Sequence, residues 1–204
     1  RFFLKRPFEK VTSMALVLTS GPAAEPVSLA EVKAHLRIDS STEDVLLGSL
    51  MLTSRLHIEA SVEIALITQS WMMVIDKWPS CEFVEIPMSP LQAIAQVRVK
   101  TSPSTTVVVP SAHYAIDVVS KPPRLIWNNV ARTDPGVRAG GIEIDFTAGF
   151  GASSASVPAP LKHALLLLTA HWYEHRDPVE IGSPAARIPD AVSDLIQPFR
   201  KIRL

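Results

Sequence analysis

The chain has 204 residues and a mass of 22.3 kDa, and its 47% apolar and 20% charged residues give a globular composition, which excludes wholesale disorder. Twenty basic residues balance twenty acidic ones, so no global field draws it onto nucleic acid or a lipid surface. Apolar runs such as Ala164 to Leu168 fall far short of the roughly 20 residues that span a bilayer, and the single Cys81 excludes an internal disulfide or a cysteine zinc cage.

The cysteine usage fits a reducing compartment. Seventeen prolines against eight glycines predict short elements joined by stiff turns, because proline fixes φ and removes a donor. Residues 1–13 carry Arg1, Lys5, Arg6 and Lys10 against Glu9 and lack the apolar stretch of a signal peptide. Met14 followed by Ala-Leu-Val reads as an ordinary start, and residues 1–25 are expected to form an arm.

Ser28 followed by Glu31 is a capping-box pattern opening a helix that ends near Ile38, with Leu29, Val32 and Leu36 on one face. Ser41 or Thr42 caps a second helix running to about Val62, with Leu46, Leu50 and Leu56 among its expected core positions. Residues 25–63 hold seven acids and three bases, which reads as a solvated outer face, with contact to a basic partner as the alternative.

From residue 67 the hydrophobic period becomes two. Strands are predicted at 71–77, 83–86, 93–100, 106–109, 113–118, 124–127 and 142–147, separated by prolines and by Gly140-Gly141. Residues 149–160 read as a loop of small residues and are expected to be mobile. Leu161 to His175 then reads as a helix apolar nearly all round, hence central, with a stripe of Leu161, Ala164 or Leu165, Leu168 and Trp172. A short helix over 189–199 leads into a basic tail with Arg200, Lys201 and Arg203.

Candidate chemistry is sparse. His171-Trp-Tyr-Glu174-His175 has the spacing of an inverted zincin, in which two imidazoles one turn apart hold zinc and the glutamate activates water. A third ligand would have to come from Glu180, Asp190 or Asp194, and the helix is the most apolar in the chain, so aromatic packing is the favoured reading and a metal-dependent hydrolase the alternative. There is no G-x-S-x-G, no P-loop and no dinucleotide fingerprint, and Cys81 has no flanking base. No catalytic, cofactor or metal residue is assigned. The apolar and basic mixture at the carboxyl end, with Ile196, Phe199, Ile202 and Leu204 among Arg200, Lys201 and Arg203, suits docking onto another protein.

The order of four stretches resembles the phage head–tail connector (adaptor, or head-completion) family, which also occurs in prophages and gene transfer agents. The first is Val27-Ser-Leu-Ala-Glu-Val-Lys-Ala-His-Leu-Arg37, followed by Glu43-Asp44. The second is Leu66-Ile-Thr-Gln-Ser-Trp71, leading to Trp78-Pro79 and the turn Ile86-Pro87…Pro90-Leu91. The third is Phe146-Thr-Ala-Gly-Phe-Gly151, then Val157-Pro-Ala-Pro-Leu-Lys162 into the helix ending His171-Trp-Tyr-Glu174. The last is Ile188-Pro-Asp-Ala-Val192, running to Leu195 and Pro198-Phe-Arg200.

The resemblance covers residues 26–204 and implies a non-enzymatic virion building block without cofactor. It implies an α+β fold, an α-helical bundle with an inserted antiparallel β-rich region: 26–66 helical, 67–150 β-rich, 158–199 helical and 200–204 a basic tail. It also implies a homo-oligomeric ring, twelvefold like the portal protein it docks on, with a downstream tail or stopper protein beneath. DNA would pass through the channel without sequence-specific binding. Such a protein is made in the bacterial host cytoplasm, acts at the head–tail interface of the particle and needs no membrane. Portal binding is expected of Ile196, Phe199, Arg200, Lys201, Ile202, Arg203 and Leu204.

Overall fold

A computed structural model describes residues 14–128, 130–175 and 188–200. The element order is β1 (Met14–Ser20), α1 (Leu29–Leu36), α2 (Asp44–Val62), β2 (Gln69–Ile75), β3 (Phe83–Glu85), β4 (Leu91–Ser102), β5 (Thr105–Val108), β6 (Tyr114–Asp117), β7 (Arg124–Trp127), β8 (Ile142–Ala148), α3 (Ala159–Glu174) and α4 (Asp190–Ile196). Among the described residues no helix is long and apolar enough to cross a membrane.

The expected helical bundle with an inserted β-rich region is not what forms. Among the described residues eight strands build two antiparallel sheets, one of five strands in the order β1-β2-β8-β4-β5 and one of three in the order β3-β7-β6. The sheets enclose their own core, in which Met73, Val97, Leu125, Ile142, Ile144 and Phe146 are buried. The four α-helices among the described residues, of 8, 19, 16 and 7 residues, enclose a second core around Leu47, Ile58, Leu66, Leu161, Leu165 and Leu168. The physical reason is that alternating strands such as Ile142–Ala148 supply one complete apolar face, and two such faces close on each other without borrowing helices.

Met14–Ser20, expected to be part of an arm, is instead the edge strand of the larger sheet, pairing from Met14 with Ile75 to Ser20 with Ser70. Its sequence shows no alternation because most of the strand is exposed on both faces, with Leu16 alone half-buried.

The predicted helix starts hold where chemistry dictates them. The Ser28 Oγ accepts from the Glu31 N–H at 3.2 Å, while the Glu31 carboxylate accepts from the Ser28 N–H at 2.7 Å. Neither Ser41 nor Thr42 caps α2, whose cap position is Glu43. The expected α2 core is also rotated. Leu47, Met51, Ile58 and Val62 are buried, whereas Leu46 and Leu50 are half-buried and Leu56 is 51% exposed. Leucine on several sides of the helix left the sequence without a unique apolar face.

The two cores meet where the chain turns from α2 into β2. Ile64 to Ile67 are all buried, and the Ile64 and Leu66 side chains face the helices while Ala65 faces the sandwich. Gly149 sits beside them with φ +142°, and a β-carbon there would lie 2.6 Å from the Ile67 carbonyl carbon. Only glycine fits that approach. The Gly149 N–H donates to Pro90 O at 2.9 Å, and the Thr68 N–H donates to Gly151 O at 2.9 Å. The 149–160 loop is pinned as well, since Ser154 Oγ donates to Pro26 O at 2.6 Å and Val157 is buried.

Candidate functional site

The H-x-x-E-H residues lie at the carboxyl end of α3, on the periphery of the helical core. The His171 and His175 rings stack with centroids 4.6 Å apart and planes tilted 33°. His175 Nδ1 lies 3.0 Å from His171 O, so that nitrogen engages the backbone. Burial is the main cause holding the His171 pKa below its usual value, and the neighbouring His175 adds to it against Glu174. Asp190 and Asp194 are exposed on α4, and Glu180 lies outside the described residues. Among the described residues no three His, Cys, Asp or Glu side chains form a metal-holding group. Cys81 is exposed, its thiol 3.1 Å from Phe83 O.

The described carboxyl-terminal residues run from a buried Ile196 to an exposed Arg200. Ile196 is buried in the helical core, and Phe199 packs on it half-buried, edge-on to Phe150 with centroids 6.4 Å apart. Arg200 is exposed. Lys201, Ile202, Arg203 and Leu204 lie outside the described residues.

The acids of residues 25–63 do not form the free solvated face that their number suggests. Lys33 pairs with Asp44 at 2.7 Å, Arg55 with Glu25 at 2.8 Å, and Lys162 approaches Glu31 at 3.4 Å. Tyr173 donates its hydroxyl to Glu43. Arg55 Nη1 also pairs with Glu59 Oε2 at 3.0 Å, both side chains being buried.

Glu59 Oε1 completes that network by accepting from the Leu66 N–H at 2.9 Å and from Gln69 Nε2 at 2.7 Å. Burial raises the Glu59 pKa, while these donors and the Arg55 charge oppose the rise. One carboxylate thus ties α2 to the junction and to the first residue of β2. The only sequence signal for it was an Arg–Glu pair four residues apart on a helix with almost no other charge.

The outer face of the large sheet is also charge-balanced. Arg98 bridges Glu143 and Asp145, each at 3.0 Å, and Lys100 meets Glu143 at 2.7 Å. The lysine is the leading cause that lowers the Glu143 pKa.

The outer face of α2 carries no such strip and, like the edge strands β1 and β5, exposes apolar side chains. Val45 is 89% exposed, Leu52 43% and Leu56 51%, and positions i, i+7 and i+11 share one stripe. The remaining exposed α2 residues are Gly48, Ser49, Thr53, Ala60 and Ser61, so no charged side chain is exposed on this helix. Thr53 and Ser61 turn their hydroxyls back onto the Ser49 and His57 carbonyls at 2.8 and 2.7 Å.

No family profile matches the chain, and no curated protein sequence does. Solved structures do. The chain is similar to one in the virion of a native gene transfer agent particle, with 26% identity and a TM-score of 0.79 over 93% of this chain and 96% of that one. A chain in the neck of an empty gene transfer agent particle, computed with C6 symmetry, matches with 26% identity and a TM-score of 0.78 over 93% and 97%. A third, in the neck of a native particle computed with C12 symmetry, matches with 27% identity and a TM-score of 0.72 over 92% and 97%. The likeness therefore takes in both the sandwich and the helices.

Proposed function

We propose that this chain is a structural subunit of the head–tail neck of a phage-like particle of the gene transfer agent kind, a building block rather than an enzyme. The observation that carries this reading is the end-to-end likeness to chains from neck structures of such particles. The adaptor role rests on the four sequence stretches that resemble the connector family.

In this reading the subunits form a ring of twelve between the portal protein and the next tail component, and DNA passes through its channel. A near-neutral protein suits that passage, because a basic lining would grip phosphates through counterion release. The net charge is +0, and the exposed charges of the large sheet are paired among themselves. The portal contact falls to the carboxyl-terminal segment. Ile196 and Phe199 hold its root against the helical core, and Arg200, Lys201, Ile202, Arg203 and Leu204 supply the docking residues.

The test is the mass of the purified protein by native mass spectrometry, alone and mixed with its portal. A ring-sized complex on the portal is the expected result, and removal of residues 201–204 together with Arg200→Ala weakens it. Portal binding unchanged by that removal overturns the docking assignment. Particles purified without this chain overturn the whole reading.

A further inference from the structure

We infer that Phe150 is the seat that aims the carboxyl-terminal docking segment, an inference that rests on the portal reading above. Two of the four sequence stretches meet there, one through Gly149-Phe-Gly151 and the other through Pro198-Phe-Arg200. The Phe150 and Phe199 rings lie edge-on, with centroids 6.4 Å apart and planes at 87°.

The backbone around Phe150 is held on every side. Gly149 leaves no room for a β-carbon beside Ile67, and a β-carbon at Gly151 would collide with Ser156 Oγ. The Phe150 N–H donates to Leu66 O at 3.4 Å. It is flanked by the Gly149 N–H on Pro90 O and the Thr68 N–H on Gly151 O, each at 2.9 Å. Gln92 Nε2 donates to Gly149 O at 2.8 Å. A ring carried on so constrained a loop is a fixed support.

Phe199 leans on that support. It lies beyond α4, in the turn Gln197–Phe199, whose other two residues are exposed. α4 itself is anchored by the buried Val192 and Ile196. After Phe199 the chain turns outward, with the Arg200 N–H donating to Gln197 O at 3.1 Å and the Arg200 backbone extended at φ −68° and ψ 145°. The direction in which the chain leaves the body is therefore set at Phe199, and Phe199 is set by Phe150.

An edge-to-face aromatic pair stabilises beyond the area it buries. A docking segment whose root is ordered in advance loses less entropy on meeting its partner. Phe150 thus acts through Phe199 as a positioning residue. Its place on the connection from β8 to α3 lets both cores contribute to the aim.

The experiment measures distances by double electron–electron resonance in the full chain carrying Cys81→Ser. One spin label sits at Ala34→Cys, exposed on α1, and the other at Arg200→Cys. The parent is expected to give one narrow distance, Phe150→Leu to broaden it, and Phe150→Tyr, which keeps the ring edge, to restore it. A control pair joins Ala34→Cys to Asp194→Cys, exposed on α4, and keeps its width throughout. In the unlabelled chain Phe150→Leu weakens portal binding about twofold to tenfold, the worth of one aromatic pair, and Phe150→Tyr recovers it.

An Arg200 distance as narrow in Phe150→Leu as in the parent overturns the inference. Equal broadening of the α4 control pair does so too, because Phe150 would then be general packing. Portal affinity unchanged by Phe150→Leu, while removal of residues 201–204 with Arg200→Ala weakens it, also overturns the inference. Failure of the docking reading is distinct, since that removal then leaves portal binding unchanged whatever the distances show.

Discussion

The helical layer and the large sheet of the sandwich place their central charges in opposite ways. The outer face of the large sheet is zipped by Arg98, Lys100, Glu143 and Asp145, a neutral strip suited to water. The helical layer sends its central charges inward, where Arg55 and Glu59 are buried, and leaves α2 uncharged outside. On the sheet the charges neutralise one another at the surface, whereas on α2 they serve the junction between the two cores.

The largest effect is expected from breaking the network that joins the two regions. Glu59→Ala leaves the buried Arg55 with Glu25 alone and strips the acceptor from Leu66 and Gln69. A loss of about 3–5 kcal/mol in urea unfolding is expected, the range for removing one partner of a buried pair. A loss below about 1 kcal/mol would show that the two cores are coupled chiefly by apolar contact. Gly149→Ala attacks the same junction through the backbone, because the new β-carbon meets Ile67 and Thr68 at 2.6 Å under a positive φ. It should cost at least about 2 kcal/mol by the same measurement.

Gly48→Ala sharpens the comparison from the exposed side of α2. The chain should gain about 0.5–1 kcal/mol in urea unfolding, because alanine is the better helix former and meets no obstacle. A loss of stability instead would show that the fold itself needs glycine there. The smallest effect belongs to the charged strip. The Lys100 ammonium holds the Glu143 pKa below the ordinary glutamate range, so its contribution is present above that range and disappears as pH falls through the lower folded value. Melting temperature should decline on acidification in that window, and Glu143→Gln should flatten the decline. Its cost at pH 7 should stay at or below about 1 kcal/mol, because the strip is partly exposed to solvent.

Much of the local structure was legible before the tertiary fold. The strands from residue 69 onward appear close to where alternation predicted them, and the Ser28–Glu31 box opens α1 as written. The phase of α2 was not legible, because Leu46, Leu47, Leu50, Met51, Leu52 and Leu56 surround the axis and no single face stands out. The role of Met14–Ser20 was hidden for a related reason, since an edge strand open on both sides carries no alternation to read. The segment around Phe199 was legible as a mixture of apolar and basic residues, but its sequence could not say that Ile196 and Phe199 spend their apolar surface on the chain's own helices.

By itself the sequence determined the start of α1, the approximate positions of the strands from residue 69 onward and the balance of charge, because capping and alternation act over a few residues. Tertiary structure decided that the strands close into a two-sheet sandwich with its own core, that Glu59 is buried, and that one side of α2 is left bare. Those outcomes depend on which faces find partners across the chain, and burial is a property of the whole molecule rather than of any stretch of it.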